Sequence, residues 1–560
     1  LNNLACRYHN KDLYTRCGPQ NLVYVHNSTS KSSSSEEKIS SAREKLEKIP
    51  FNFAQYDPDI CAMTHRVYEA CIEKPKGIEK TEDLDYSIVV SGSKGAGTSD
   101  VGSEALRYLY EIGKSTSNAD VIEKIDLAEH LIRTFAYTDE TNLQFTRVTS
   151  VKLNSSGLVG GVNVDCFGLR HERATHCPKG LRNFEIFYDL FQAPMPKRRR
   201  IAAMDTRKFS YLRNTDLNRR DSDVAHYRKT LDALNKLVGD DEMVFTTVAA
   251  ILHMGNVNFV FNETIGAKVI PSDSVTIAAD LLTVDVEALK QCLCADAEDV
   301  NGAMANRDAL ARHMYACLFD YVLKKINESL SFESPYPSIR VVESPGFAVT
   351  GVNRFSDFTS SYFAENIYRH YVRSMFVAEQ EFLAKNLYGS DYVLPVKFKN
   401  NDETIDFMNH VMSYFKTNSS SSASAKDCAA FLDYLKTKNS TAFGSFETCL
   451  EAKNEELKSM DLVAHEPSEF VIRHMSVIEN ASTDTIYDAT NFLSESDMNL
   501  SSKAKALFAD SAMGKVFEDN TGTTRDLVKS AQSLNEMLEH ATPHFVHCVL
   551  SSIGGDDDDD

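Results

Sequence analysis

No stretch of this 560-residue sequence is apolar for long enough to cross a bilayer as a helix, which takes about 20 residues. The most apolar segment, residues 243–261, is interrupted by His253 and Asn256. The start at Leu1 lacks a basic-then-apolar leader, so secretion is not indicated and the chain reads as a fragment or a processed form. Its 12 cysteines include no CxxC pair and no paired framework, which suits a reducing, cytoplasmic setting. Excess positive charge is missing too: a net charge of −20 disfavours nucleic acid and any acidic partner surface. Neither an internal repeat nor a sustained heptad occurs, so no coiled-coil tail is expected.

What is present suits a large globular protein, either several domains or one multi-lobed unit, with 42% hydrophobic and 25% charged residues. Two serine-rich stretches, 28–37 and 418–425, are too polar to pack and read as flexible surface insertions. Gly554, Gly555 and five aspartates form a disordered acidic tail or a cloning remnant. Cys166, His171, His176 and Cys177 cluster in sequence, but an adjacent His-Cys pair is poor chelating geometry, so no metal is expected there. The basic run 197–200 follows Pro194 and Pro196; it reads as a solvated loop, with a nuclear address as the alternative.

Strand and helix patterns alternate between the insertions. Residues 86–91 (YSIVVS) form a β-rich run, followed by a Gly-rich turn and a helix over 99–112 with Leu106, Leu109 and Tyr110 on one face. A long amphipathic helix is expected over 307–330, a short strand over 338–342 and a second long helix, rich in aromatics, over 353–383. This is the outline of a nucleotide-binding α/β protein. The turn itself reads Gly92-Ser93-Lys94-Gly95-Ala96-Gly97-Thr98-Ser99. Gly92 and Gly97 have the spacing of GxxxxGK[ST], in which glycines let backbone N–H groups wrap a phosphate at a helix N-terminus. Thr98 stands where the lysine belongs, and Ser99 offers a hydroxyl where Mg²⁺ would be held.

The neighbouring residues carry a resemblance. SIVVSGSKGAGTSD at 87–100 resembles the myosin phosphate loop SILISGESGAGKTE, and RNFEIFY at 182–188 is similar to RNYHIFY. AAILHMGN at 249–256 resembles AAILHLGN, residues 307–330 resemble the helix ending in RINxSL, and PHFVHC at 543–548 is similar to PHFVRC. These matches run in myosin order over nearly the whole chain. The resemblance implies a P-loop NTPase-type motor fold of α/β class: a mostly parallel, twisted central sheet flanked by helices, with upper and lower lobes separated by a cleft. The expected divisions are 1–130 with the phosphate loop, 131–340 as the upper lobe, 341–530 with the second switch and lower lobe, and 531–560 with the final strand and tail.

The resemblance also implies two loops that sense the γ-phosphate, and both depart from pattern. In place of NxxSSRF stands Thr141-Asn142-Leu143-Gln144-Phe145, so Asn142 and Leu143 replace the serines and Gln144 the arginine. In place of DIxGFE stands Glu343-Ser344-Pro345-Gly346-Phe347-Ala348: Gly346 is kept, the acid is lengthened to Glu343, and Ala348 replaces the glutamate. Gln144 and Ala348 would then face each other with no arginine–carboxylate pair between them. Phosphoryl transfer depends on positioning and electrostatics, so these losses together predict no useful turnover. Lys94 is the one residue that could substitute from within the loop. The adenine-side NPxxxxPxY motif is not recognisable around residues 23–27. No converter or lever follows PHFVHC, so the chain is either truncated or never had one.

Myosins meet acidic actin through basic loops. The equivalent segments here are 517–524, without a lysine cluster, and a shortened 296–302 (DAEDVNG), so actin binding is expected to be weak or absent. Three functions follow. The first is a pseudo-motor scaffolding a cytoskeletal assembly, needing no cofactor. The second is a non-hydrolysing module holding residual ATP or ADP with Mg²⁺, and the third a divergent motor truncated before its converter. Nucleotide would be held by Gly92, Lys94, Gly95, Gly97, Thr98, Ser99, Asn142, Gln144, Glu343 and Gly346, with Ser99 the metal ligand and no catalytic residue left.

Overall fold

A computed structural model describes residues 2–26, 36–47, 57–73, 85–92, 95–137, 145–177, 179–195, 197, 201–202, 205–213, 215, 222–346, 352–388, 398–417, 425–438, 440–445, 469–475, 482–489, 492, 507–508, 514, 516 and 527–550. Its strands are β1 (Tyr14–Arg16), β2 (Asn21–His26), β3 (Asp85–Gly92), β4 (Thr146–Leu153), β5 (Val159–Phe167), β6 (Phe259–Asn262), β7 (Gly266–Val269), β8 (Ile339–Glu343), β9 (Val352–Asn353), β10 (Phe443–Ser445), β11 (Glu469–Met475), β12 (Ser482–Asp488) and β13 (Ala541–Leu550). Seven form the central sheet in the order β1-β2-β13-β3-β8-β4-β5. The four central strands, β2, β13, β3 and β8, are mutually parallel, and antiparallel pairings add β1 at one edge and β4 and β5 at the other.

Parallel strands buried on both faces read as continuous apolar runs, and β3 carries Ile88, Val89 and Val90 fully buried. Alternation then splits the molecule into two cores. Ile88, Val90, Val341, Val546 and Cys548 face one way, Val89, Val342 and Phe545 the other. The first face is covered by the helix Thr98–Ile112, which buries Val101, Ala105, Leu106, Tyr108 and Leu109. The second is covered by the helices Phe355–Val372 and Leu527–Glu539, around an aromatic cluster in which Phe355, Phe358, Phe470 and Tyr487 surround Phe492. Each fully buried Val, Leu or Phe in these cores contributes roughly 1.5–3 kcal/mol. β13 sits mid-sheet between β2 and β3, so the last described strand is part of the core from which the phosphate loop emerges.

Several expectations shift. The long upper helix starts at Val300 rather than 307, because the Asp299 side chain caps it, accepting from the Gly302 N–H at 2.7 Å. The shortened surface loop therefore ends at Asp299. Glu36 and Glu37, placed in the first serine-rich insertion, open the helix Glu36–Glu47, while residues 27–35 and 418–424 lie outside the described set. The second long helix is interrupted after Val372 by a wide turn with i→i+5 bonding, Arg373–Val377, and resumes over Ala378–Leu383. Lys197, expected in a solvated loop, pairs with Asp241 at 2.5 Å. No helix of the described residues is long and apolar enough to cross a membrane.

Candidate functional site: the phosphate loop and the charged layer beneath it

β3 ends at Gly92 and the chain turns into the helix Thr98–Ile112 through Gly95 and Gly97, whose φ angles of +86° and +78° favour glycine. Gly97 is the N-cap and supplies no side-chain acceptor, so the first N–H groups of the helix are left for an outside partner, the arrangement that suits a phosphate. Thr98 and Ser99 follow, both buried, and Thr98 brings no charge to the helix start. The glycines also answer to packing. A Cβ on Gly92 would stand 2.1 Å from the Cys548 carbonyl oxygen of β13, and one on Gly97 would stand 2.8 Å from His26 Nδ1 at the end of β2.

Under this turn lies a charged pair in an otherwise apolar row. The register sets Leu22, Val546, Val90, Glu343, Arg147 and Cys166 side by side across β2, β13, β3, β8, β4 and β5. Glu343 is fully buried, with its Oε2 3.1 Å from Arg147 Nε. That contact is ionic without being a hydrogen bond. The guanidinium donates instead to both Glu129 oxygens, at 2.9 and 2.6 Å, and its Nε to Thr149 Oγ1 at 3.1 Å. Neither Glu343 oxygen has a hydrogen-bond donor among the described residues. Burial accordingly pushes the Glu343 carboxyl above its ordinary range, Arg147 pulls it back, and Glu129 adds to the rise. For Arg147 burial acts to lower the pKa, but Glu129 and Glu343 outweigh it and it stays charged.

Gly102, one turn into the loop helix, makes room for Glu343: a Cβ there would stand 2.4 Å from its Cγ. Ser344 ties the same strand end to the start of β4, its Oγ 3.1 Å from Thr146 Oγ1 and its N–H donating to the Val90 carbonyl. Gly92, Gly95, Gly97, Thr98, Ser99, Glu343 and Gly346 thus lie on the ends of neighbouring central strands and the turn that follows one of them. Lys94, Asn142, Leu143, Gln144 and Ala348 lie outside the described residues. Arg147 and Glu343 form an arginine–carboxylate pair between neighbouring strands, inside the sheet; the expected facing of Gln144 and Ala348, with no such pair between them, falls outside the described residues. Arg147, Glu129 and Gly102 were missed by sequence reasoning. The available signal was an arginine at a position where β4 alternation calls for an apolar residue.

The backbone of the turn therefore fits a phosphate, and Ser99 can offer Mg²⁺ one oxygen. The acid that would join it from β8 is already held by Arg147. A larger hollow of about 790 Å³ opens beside the loop helix, lined by Arg107, Tyr110, Lys114, Glu129, Arg133 and Arg147 among others, and none of the described residues of 92–99 borders it. Cys166, His171, His176 and Cys177 do not gather. Among the described residues the one group close enough to hold a metal is Asp59, Cys61 and Glu104, and there the Lys38 amine already sits 2.6 Å from Glu104.

A central parallel sheet with a glycine turn running into a helix defines a P-loop α/β protein. A family model described as "Myosin head (motor domain)" matches residues 1–553, and the chain belongs to that family. Among curated proteins it is similar to Arabidopsis thaliana Myosin-17, 25% identical with 98% of this chain and 36% of that protein covered. Myosin-5 of the same plant is 24% identical with 98% and 36% covered, and Myosin-13 is 28% identical with 54% and 22% covered. The chain thus spans about a third of the length of the relatives that it matches from end to end.

Proposed function

We propose that this motor-domain relative is a pseudo-motor that does not turn over ATP and serves as a structural or scaffolding part of a cytoskeletal assembly in the cytoplasm. The observation that carries the reading is Thr98, a buried neutral side chain at the helix start where the family places the lysine that meets the β- and γ-phosphates. Glu343 supports it: an acid engaged by Arg147 beneath the loop is poorly placed to serve a metal above it. With Asn142, Leu143, Gln144 and Ala348 at the family's gating positions, the electrostatic stabilisation that phosphoryl transfer needs is missing. Phosphate release, measured with and without actin filaments, should stay at the buffer level. Turnover near that of an ordinary myosin overturns the reading, and Lys94→Ala would then report whether that lysine carries it.

A second reading, residual binding of ATP or ADP without hydrolysis, is favoured by the left-handed Gly95 and Gly97 and the uncapped helix start. Equilibrium dialysis with Mg²⁺–ADP separates the two. Actin should bind weakly or not at all, given the net charge of −20 and the acidic segment 296–299. Co-sedimentation at low salt, where screening is least, is the demanding check.

A further inference from the structure

On the opposite face of the sheet, a hollow of about 200 Å³ lies between the end of the helix Phe355–Val372 and the end of the helix Leu527–Glu539. Arg369, His370, Arg373 and Ser374 line it from one helix, and Asn535 and Glu539 from the other. Three features set it apart. Arg369 and Arg373 are like charges at i,i+4, an arrangement that destabilises a helix unless something answers it. Arg369 finds only a neutral partner, donating to Asn366 Oδ1 at 3.0 Å, the same atom that accepts from Asn535 Nδ2 at 3.0 Å. Arg373 reaches Glu539 only at 3.8 Å, on the exposed rim. Secondly, the ring nitrogen Nε2 of buried His370 has no hydrogen-bond partner among the described residues, and such atoms call for an explanation. Thirdly, the helix widens into its i→i+5 turn at Arg373, a distortion that tends to mark functional positions.

We propose that this hollow is an oxyanion site that takes one phosphate-sized anion, held by Arg369, Arg373 and the Nε2–H of His370. Guanidinium groups match tetrahedral oxyanions in geometry and charge. The volume equals that of roughly six waters, room for one such ion with part of its hydration shell but not for a nucleotide. Burial first and Arg373 second depress the Arg369 pKa, which Asp402 and Glu539 act to raise. Burial then Arg373 push His370 down to about 4, so it stays neutral while two guanidinium groups face the single Glu539 carboxylate across the hollow. A bound anion would cross-link the two helices that cover this face of the sheet.

The full chain is titrated with inorganic phosphate and with sulfate at constant ionic strength, following heat of binding and thermal midpoint. O-phosphoserine is a separate arm that distinguishes a free ion from a phosphate ester. The expected result is one saturable site, weakened about tenfold by Arg373→Gln, whose side chain is exposed enough for the fold to survive, and by Arg369→Gln. Glu539→Gln, which removes the rim carboxylate, should tighten it. Saturation of O-phosphoserine at the same site extends the ligand to esters, and its failure restricts the site to free ions. The proposal is overturned if no saturable binding appears below about 10 mM, if Arg373→Gln and Glu539→Gln leave it unchanged, or if ADP displaces the anion, which would place it in the loop at 92–99.

Discussion

The phosphate loop and the charged layer under it are built in different ways. In the loop the backbone keeps its shape, with Gly92, Gly95 and Gly97 in place, while the lysine has become Thr98. In the layer below, charge is abundant: buried Arg147 and Glu343 interrupt an otherwise apolar sheet row, and half-buried Glu129 completes a triad from a covering helix. The comparison teaches that glycines in such a loop are not evidence of a ligand by themselves. Gly92 is needed because β13 runs 2.1 Å from where its Cβ would be, and Gly102 because Glu343 fills the space beside it. Packing against the sheet is reason enough to keep both, whatever binds above them.

The largest expected effect tests the layer. Arg147→Met should cost about 3–5 kcal/mol, since it leaves buried Glu343 without the guanidinium beside it and with Arg133 as the weaker remaining cation. Denaturant unfolding checks this, and a loss near zero would show that the triad is solvated. Next comes the loop backbone. Gly92→Ala should destabilise by about 3 kcal/mol with no nucleotide present, because the clash is with a backbone oxygen that cannot swing aside. If it alters only ADP binding and not the unfolding midpoint, the glycine answers to a ligand after all.

Much of the architecture was legible in the residues. YSIVVS and the run before Glu343 carry the buried apolar residues Ile88, Val89 and Val90 and Ile339, Val341 and Val342, enough to read as strands, and the helix over 99–112 begins one residue earlier than its pattern suggested. The charged layer was not legible, because Arg147 and Glu343 meet through strand register across 196 positions (343 − 147) that no local pattern encodes. The β10-β11-β12-β9 sheet was missed for a related reason. β11 and β12 form a hairpin of seven-residue strands, but β9 joins it from far upstream and, at two residues, has no periodicity to detect. Asp299 as a helix cap was readable in principle, but the resemblance drew the loop boundary past it.

A third prediction concerns the second core. Burial pushes His547, which stands where the family has arginine, down to about 4, and it packs edge-on against Tyr371 at 4.8 Å. A pKa depressed in the fold means that the unfolded chain takes the proton first. The stability His547 supports is therefore present above about 6.5 and lost as pH falls towards 4. His547→Gln should flatten that acid limb by roughly 3 kcal/mol, the value of about two and a half pKa units. His544, pushed to about 4 by burial first and by Arg66 second, adds to the same limb and remains in the variant.

The smallest effect has the opposite sign and is the sharpest test of the charged layer. Glu343 has its pKa raised from an ordinary value of 4.5, chiefly by burial, so its protonated form is the one the fold prefers. A raised carboxyl contributes stability that is fully present below about 4.5 and is lost as pH rises through the folded value. Glu343→Gln fixes a neutral side chain of the same shape at every pH, and Arg147 keeps both bonds to Glu129 and its bond to Thr149. The variant should therefore match the native protein in acid and be equal or more stable, by up to about 1 kcal/mol, near neutrality. Unfolding midpoints at pH 4 and pH 7.5 decide it. A loss of stability at pH 7.5 that disappears at pH 4 would mean that the ionised Glu343–Arg147 contact is net favourable. The acid beneath the loop would then be kept for its charge, as a working metal site requires, rather than tolerated inside the sheet.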